Sequence, residues 1–343
     1  MNLDDIKKSI QSVFTDGITV IIGSGLSCSE GLPSMKTLAN HLSTVLPSQL
    51  TLRQQGSWKK IASLLSNDIG LEQALTDQEV SPDLYSIITI ETARLIRNSE
   101  RKTISDVLTG KKTLRFTSLT KAFPPSPTGI ALITTNYDRL VEIACDVTGH
   151  NVDTMFTGSV LGRLDPQASA FSFCRGIRRR QGKIVLEYAP RYRIFKPHGS
   201  LDWYTLGGKP IRCTYDLDES PLIIAPGSTK YRAGYDEPFD INREQANKEI
   251  DRASKYLIIG YGFNDDHLQV HLSRNLREGK QCLIVTKELS PAAQKLIADC
   301  PNVLALTGNS GMPSTSLFRY VDGTVYDITG ELWDIEILTK EVL

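Results

Sequence analysis

The sequence has no Cys-x-x-Cys pair, no excess of charge of either sign and no apolar run long enough to cross a bilayer. Each absence excludes something. Six cysteines (Cys28, Cys145, Cys174, Cys213, Cys282 and Cys300) are scattered singly, which speaks against a zinc ribbon and against a secreted disulfide framework. No metal is expected, and a reducing cytoplasmic compartment fits best. With 39 basic and 39 acidic residues, the chain has no whole-protein pull toward nucleic acid or a membrane surface, so neither is an expected partner. Asp4 and Asp5, with no apolar run after them, do not read as a secretory leader. What remains is a chain of 343 residues, long enough to bury a large core as one domain or two.

The stretch that organises the rest is Thr19-Val20-Ile21-Ile22-Gly23-Ser24-Gly25-Leu26-Ser27-Cys28. A β-branched run ends in two glycines and small polar residues, and an apolar-periodic segment follows. This reads as strand, tight loop and helix start, a place where phosphates bind because glycines let backbone N–H groups approach an anion. A plain strand-to-helix turn is the other reading. A dinucleotide-dehydrogenase fingerprint is not met. Cys28 stands where the third glycine belongs, and between Glu30 and Asp68 there is no acidic residue to hold an adenosine ribose.

The chain around this loop predicts an α/β fold, with a Rossmann-like, mostly parallel sheet, helices on both faces and a helical insertion. Leu3, Ile6, Ile10, Val13 and Phe14 mark a first amphipathic helix. Residues 36–127 carry helical periodicity and no strong strand: Leu38, Leu42, Val45 and Leu46 make a segment ended by Pro47, Trp58 to Leu65 another, and Glu91–Ile96 and Thr103–Leu108 two more. The expected division is therefore residues 1–35 and 128–343 as nucleotide-binding core, with 36–127 as the insertion. Buried strands are expected at Ile130–Thr135, Arg193–Phe195, Pro221–Ala225, Tyr256–Ile259 and Cys282–Thr286, with a terminal hairpin turning at Asp322-Gly323. Arg175, Arg178, Arg179, Arg180 and Lys183 surround a hairpin tip at Gln181-Gly182. That run reads as a solvated rim or as a contact patch.

Four strand ends carry polar or glycine-rich loops: Gly23-Ser24-Gly25, Thr135-Asn136-Tyr137-Asp138, Lys196-Pro197-His198-Gly199 and Gly260-Tyr261-Gly262. In open α/β sheets ligands bind beyond the carboxyl ends of the strands. Asn136 can be a turn residue or a ligand, and Asp138 a helix cap or a ligand. His198 follows an apolar strand and precedes a glycine, so it can face a cleft.

In order and spacing, Gly23-Ser24-Gly25-Leu26-Ser27 with Glu30-Gly31-Leu32-Pro33, then Thr134-Thr135-Asn136-Tyr137-Asp138, then Pro197-His198-Gly199-Ser200, resemble the sirtuin superfamily. The chain departs from protein-deacylating sirtuins in lacking the zinc cysteines and in placing Ser34-Met35-Lys36 after Pro33. It is similar instead to the sirtuin-like NAD+ hydrolases of bacterial antiphage defence. That resemblance implies an NAD+ nucleosidase that releases nicotinamide as a toxic effector. A non-catalytic NAD+ or ADP-ribose sensor, or less readily a deacylase, is the alternative. NAD enters as substrate. The resemblance implies catalytic Asn136 and His198. It implies dinucleotide contacts from Gly23, Ser24, Gly25, Ser27, Thr135, Asp138, Gly260, Gly262 and Thr286. It also implies regulation through a homo-oligomer or a partner protein such as a translocase-type ATPase.

The chemistry asks for such groups. Nicotinamide leaves as a neutral base from an oxocarbenium-like ribose. The site must therefore fix the ribose and a water on its opposite face, and a neutral imidazole can take the water's proton.

Overall fold

A computed structural model describes residues 3–343, apart from 79, 218, 228–235, 310–311 and 320–323. Its strands are β1 (Ile18–Ile22), β2 (Ile130–Thr134), β3 (Asn151–Asp153), β4 (Phe156–Thr157), β5 (Leu161–Leu164), β6 (Cys174–Arg180), β7 (Lys183–Tyr188) and β8 (Arg191–Phe195), followed by β9 (Trp203–Leu206), β10 (Lys209–Cys213), β11 (Lys255–Ile259), β12 (Gln281–Thr286), β13 (Val303–Asn309), β14 (Met312–Arg319) and β15 (Thr324–Thr329). Nine of them form one sheet in the order β15-β14-β13-β12-β11-β1-β2-β8-β3. From β13 to β3 every pairing is parallel, and β14 and β15 extend the sheet antiparallel. The expected Rossmann-like sheet is present, with β1 near its centre.

All five residues of β1 and all five of β2 are buried. Successive side chains of a strand point to opposite faces, and here each face has its own core. Val20, Ile22, Leu132 and Leu257 pack with Ile6, Ile10, Leu140 and Leu338 on one side. Ile21, Ile133, Ile258 and Ile284 pack with Ile250, Leu268, Leu272 and Leu296 on the other. A run without polar alternation is what a strand covered on both faces requires.

From Met35 to Thr120 the described residues hold helices and no strand: Met35–Gln49, Leu52–Ser66, Leu71–Thr76, Pro82–Leu108 and Arg115–Thr120, joined by short turns. Leu38, Leu42, Leu46, Trp58, Ile61, Leu75, Leu84 and Ile88 share a separate core, whereas Leu114, Phe116, Leu119 and Phe123 pack into the main one. Three local expectations need correction. Pro47 does not end its helix, which runs on to Gln49. The segments expected at Glu91–Ile96 and Thr103–Leu108 belong to one 27-residue helix, capped by Ser81 with Pro82 in its first turn. Its polar middle is anchored rather than broken, because buried Glu100 grips Arg139 through the main-chain N–H and the guanidinium. Finally, Pro221–Ala225 forms no strand and offers only an isolated bridge from Ile223 to Gly199.

The basic hairpin is β6–β7, a separate two-stranded sheet, turning at Gln181 and Gly182 with positive φ at both. β14 and β15 pair antiparallel as a terminal hairpin. Its expected turn, Asp322-Gly323, lies outside the described residues.

Candidate functional site

Beyond the carboxyl end of β2 the chain carries Asn136, which is buried. The Asn136 main-chain N–H donates to Thr134 Oγ1 at 3.1 Å. Its side-chain Nδ2 donates to the Gly23 carbonyl at 2.9 Å and to Ser27 Oγ at 2.8 Å. Ser27 Oγ in turn donates to Asp138 Oδ2 at 2.7 Å, and Asp138 Oδ1 accepts the Leu140 N–H at 3.2 Å. Both amide hydrogens of Asn136 are therefore spent on the loop after β1. Its Oδ1 takes no part in this network and is the atom suited to accept from a ligand hydroxyl.

Asp138 is the foot of the network. Burial pushes its carboxyl above the ordinary range, opposed by Lys196 and by the Ser27 hydroxyl. Lys196 Nζ lies beneath it, donating to the Asp138 carbonyl and to Glu142 Oε1. Asp138 thus joins a contact at the helix start, where Arg139 rather than Asp138 is the N-cap, to support of Ser27.

His198 follows β8. The turn at Gly199 has φ +85°, and a Cβ there would lie 2.1 Å from the Leu222 carbonyl, so only glycine fits. The loop is tied on two sides: Ile224 N–H donates to the His198 carbonyl at 2.9 Å, and Leu201 N–H to the Tyr137 carbonyl at 3.0 Å. Tyr137 Oη donates to the Ile224 carbonyl at 2.6 Å, closing the clamp. The His198 imidazole is thereby held over the ends of β2 and β8. Its Nε2 lies 2.5 Å from Asp265 Oδ2.

The glycine loop is built for close backbone meshing. Gly23 N–H donates to the Ile259 carbonyl and Gly25 N–H to the Gly260 carbonyl, at 2.9 and 3.0 Å. A Cβ on Gly25 would come within 2.7 Å of Gly260 Cα, and one on Gly23 within 2.5 Å of the Gly260 carbonyl. Two N–H groups of the loop are thus committed to the sheet. Its glycines are explained at least as well by the crossing of two chains as by an approaching phosphate.

These parts line two cavities. The first is bounded by Gly23, Ser24, Ser27, Thr135, Asn136, Asp138, His198 and Gly262, with Tyr261, Asn264 and Asp265 beside them. Met35, Leu38 and Glu72 of the helical segment reach the same wall. The second holds Gly25, Gly260 and Thr286, together with Cys28, Arg115, Lys287 and Trp333. The short helix Ser24–Ser29 contributes to both. The expected residues are therefore divided: eight, both proposed catalytic groups among them, meet in the first cavity, and three lie in the second.

Sequence reasoning passed over Asp265. It stands at a helix start, where an acidic residue already has an explanation, and nothing in the sequence ties it to His198. Glu72, Tyr261 and Asn264 were likewise not singled out as site residues. The adjoining Gly260-Tyr261-Gly262 was the available signal.

Residues 130–300 match the model of the SIR2-like domain. The match takes in Asn136, Asp138, His198, Gly260, Gly262, Asp265 and Thr286 and begins after the Gly23–Gly25 loop. It supports a likeness to the sirtuin superfamily over those residues and, with it, an NAD-related function. Solved structures that resemble the chain include a sirtuin from a study of substrate affinity, 14% identical, covering 100% of this chain and 98% of that one with a TM-score of 0.45. Another is a mutant Sir2 homologue in complex with ADP-ribose, 12% identical, covering 100% and 96% with a TM-score of 0.44. A mutant Sir2 with a p53 peptide and NAD is 13% identical, covering 100% and 97% with a TM-score of 0.42. At these scores the likeness carries no weight for activity. No curated protein matches the chain. Among the described residues, no helix is long and apolar enough to cross a membrane.

Proposed function

We propose that the chain is an NAD+ glycohydrolase. The observation that carries this reading is the meeting of Asn136 and His198, from the ends of two neighbouring strands, in one cavity with the loop after β1. In the reaction the bond between the ribose anomeric carbon and the nicotinamide nitrogen breaks, and nicotinamide leaves as a neutral base. Water adds to that carbon and gives up one proton, leaving ADP-ribose. Asn136 Oδ1 would accept from a ribose hydroxyl or from the attacking water, and His198 would take the proton. Thr135, Ser24, Ser27 and Gly262 would line the ribose and phosphate path, with Asp138 acting through Ser27. The second cavity, with Thr286, Gly25 and Gly260, would take the adenosine end.

The absence of any Cys-x-x-Cys pair speaks against a zinc-ribbon deacylase. Unregulated loss of NAD+ would harm the cell that makes the enzyme. We therefore read the chain as a toxic effector in antiphage defence, held in check until it assembles with copies of itself or with a partner such as a translocase-type ATPase. The basic β6–β7 hairpin and the helical segment 36–127 are the proposed contact surfaces. The test is to incubate the purified protein, alone and with that partner, with NAD+ and to follow nicotinamide. Release that is lost in Asn136→Ala and His198→Ala supports the reading. Stoichiometric binding without turnover in every assembly would replace it with a sensor.

A further inference from the structure

We infer that Asp265 is the residue that positions His198 for this reaction, fixing which ring nitrogen acts as base. The inference rests on the glycohydrolase reading for its catalytic part. Its geometry stands independently.

Asp265 follows β11, and His198 follows β8; β1 and β2 lie between them in the sheet. The segment after β11 therefore reaches across two strand ends to touch the imidazole. Its path is held in shape by Gly260, with φ +54°, and by Phe263, with φ +56°. Phe263 is fully buried against Tyr261, with ring centroids 5.1 Å apart. A buried aromatic residue in the left-handed region is uncommon and persists only where surrounding packing imposes it.

The two oxygens of Asp265 have separate tasks. Oδ1 accepts the His267 and Leu268 N–H groups at 3.0 and 3.2 Å, capping helix Asp266–Arg277. Oδ2 faces His198 Nε2 at 2.5 Å, and the two side chains are only 7% and 12% exposed. A carboxylate can only accept, so this close ion-pair contact favours the hydrogen on Nε2 and leaves the lone pair of the neutral ring to Nδ1. Nδ1 is then the atom that takes the water's proton. The imidazolium that forms sits against a carboxylate already in place, which is how a buried acid serves a histidine base. The cap contributes too, since two N–H groups on Oδ1 fix the carboxylate plane and so hold Oδ2 toward the ring.

The test is Asp265→Asn. Asparagine caps a helix as well as aspartate does, so the unfolding midpoint is expected to stay within a few degrees. Nitrogen-15 NMR of the histidine rings should show wild-type His198 protonated on Nε2, with that preference lost in the variant. In the assembly that turns over NAD+, kcat should fall between about 10-fold and about 10⁴-fold, the range for carboxylates that orient a histidine. KM should change by less than about threefold, as expected for an interaction realised in the transition state. An unchanged kcat, or wild-type His198 protonated on Nδ1, overturns the inference. A wild type that never releases nicotinamide overturns the glycohydrolase reading alone, and the NMR result then decides the pairing by itself.

Discussion

The two cavities flanking helix Ser24–Ser29 are made from the same material, the carboxyl ends of parallel strands, and they differ in what those ends carry. In the first, a buried carboxamide and two buried carboxylates are bonded to neighbouring loops and helix starts, and a half-buried imidazole sits against one of the carboxylates. In the second, a threonine hydroxyl and two glycines adjoin Trp333, with Lys287 6.0 Å from the indole ring. Groups that hold protons and fixed lone pairs suit bond breaking, whereas an aromatic wall suits gripping an adenosine. The contrast suggests one substrate laid across both cavities, with chemistry at one end and affinity at the other.

If that division holds, substitutions in the two cavities should separate rate from binding. The largest effect is expected from His198→Ala, which should lower kcat for nicotinamide release about 10²–10⁴-fold while calorimetry still detects NAD+ binding. Next comes Gly260→Ala, which attacks the partition itself. A Cβ there would meet Gly25 Cα at 2.7 Å at a φ of +54°, so stability should fall by about 1–3 kcal/mol, read from denaturant unfolding. Thr286→Ala should act on binding, and it also removes the loop bond that the hydroxyl donates to the Glu288 carbonyl at 3.0 Å. Loss of one hydrogen bond worth about 1 kcal/mol would raise KM about fivefold and leave kcat unchanged.

The last effect lies away from both cavities and is read in stability alone. Burial acts to raise the Asp202 carboxyl, but Arg212 and Lys196 outweigh it and hold the group below its ordinary value of 3.8. A carboxylate whose folded pKa is depressed stabilises the fold above the unfolded pKa, and that contribution fades as pH falls through the folded value. Asp202→Asn should therefore be less stable than wild type at neutral pH. The gap should narrow below about pH 4, measured by thermal unfolding across an acid series.

Much of this was legible because strand ends are. Ile18–Ile22 and Ile130–Thr134 are short apolar runs followed by Gly23 and by Thr135-Asn136, so both the sheet and the loops beyond it can be read directly. Local pattern failed where a residue is explained twice. Asp265 is a sufficient helix cap by itself, and its second role depends on a loop crossing two strands, which no spacing records. The middle of helix Pro82–Leu108 looked like a break because Arg97 to Lys102 are polar, and only the Glu100–Arg139 pair shows why it is not. The split of the glycine loop between cavities turns on which side of a six-residue helix each residue faces. Gly23 and Gly25 showed their flexibility in sequence but not the backbone of Gly260 that they accommodate.

The most direct test is a crystal structure of the protein with ADP-ribose. The account predicts the adenosine against Thr286 and Trp333, and the anomeric carbon beside Asn136 Oδ1 and the His198 ring. ADP-ribose bound with its free ribose away from Asn136 and His198, or outside both cavities, would contradict it.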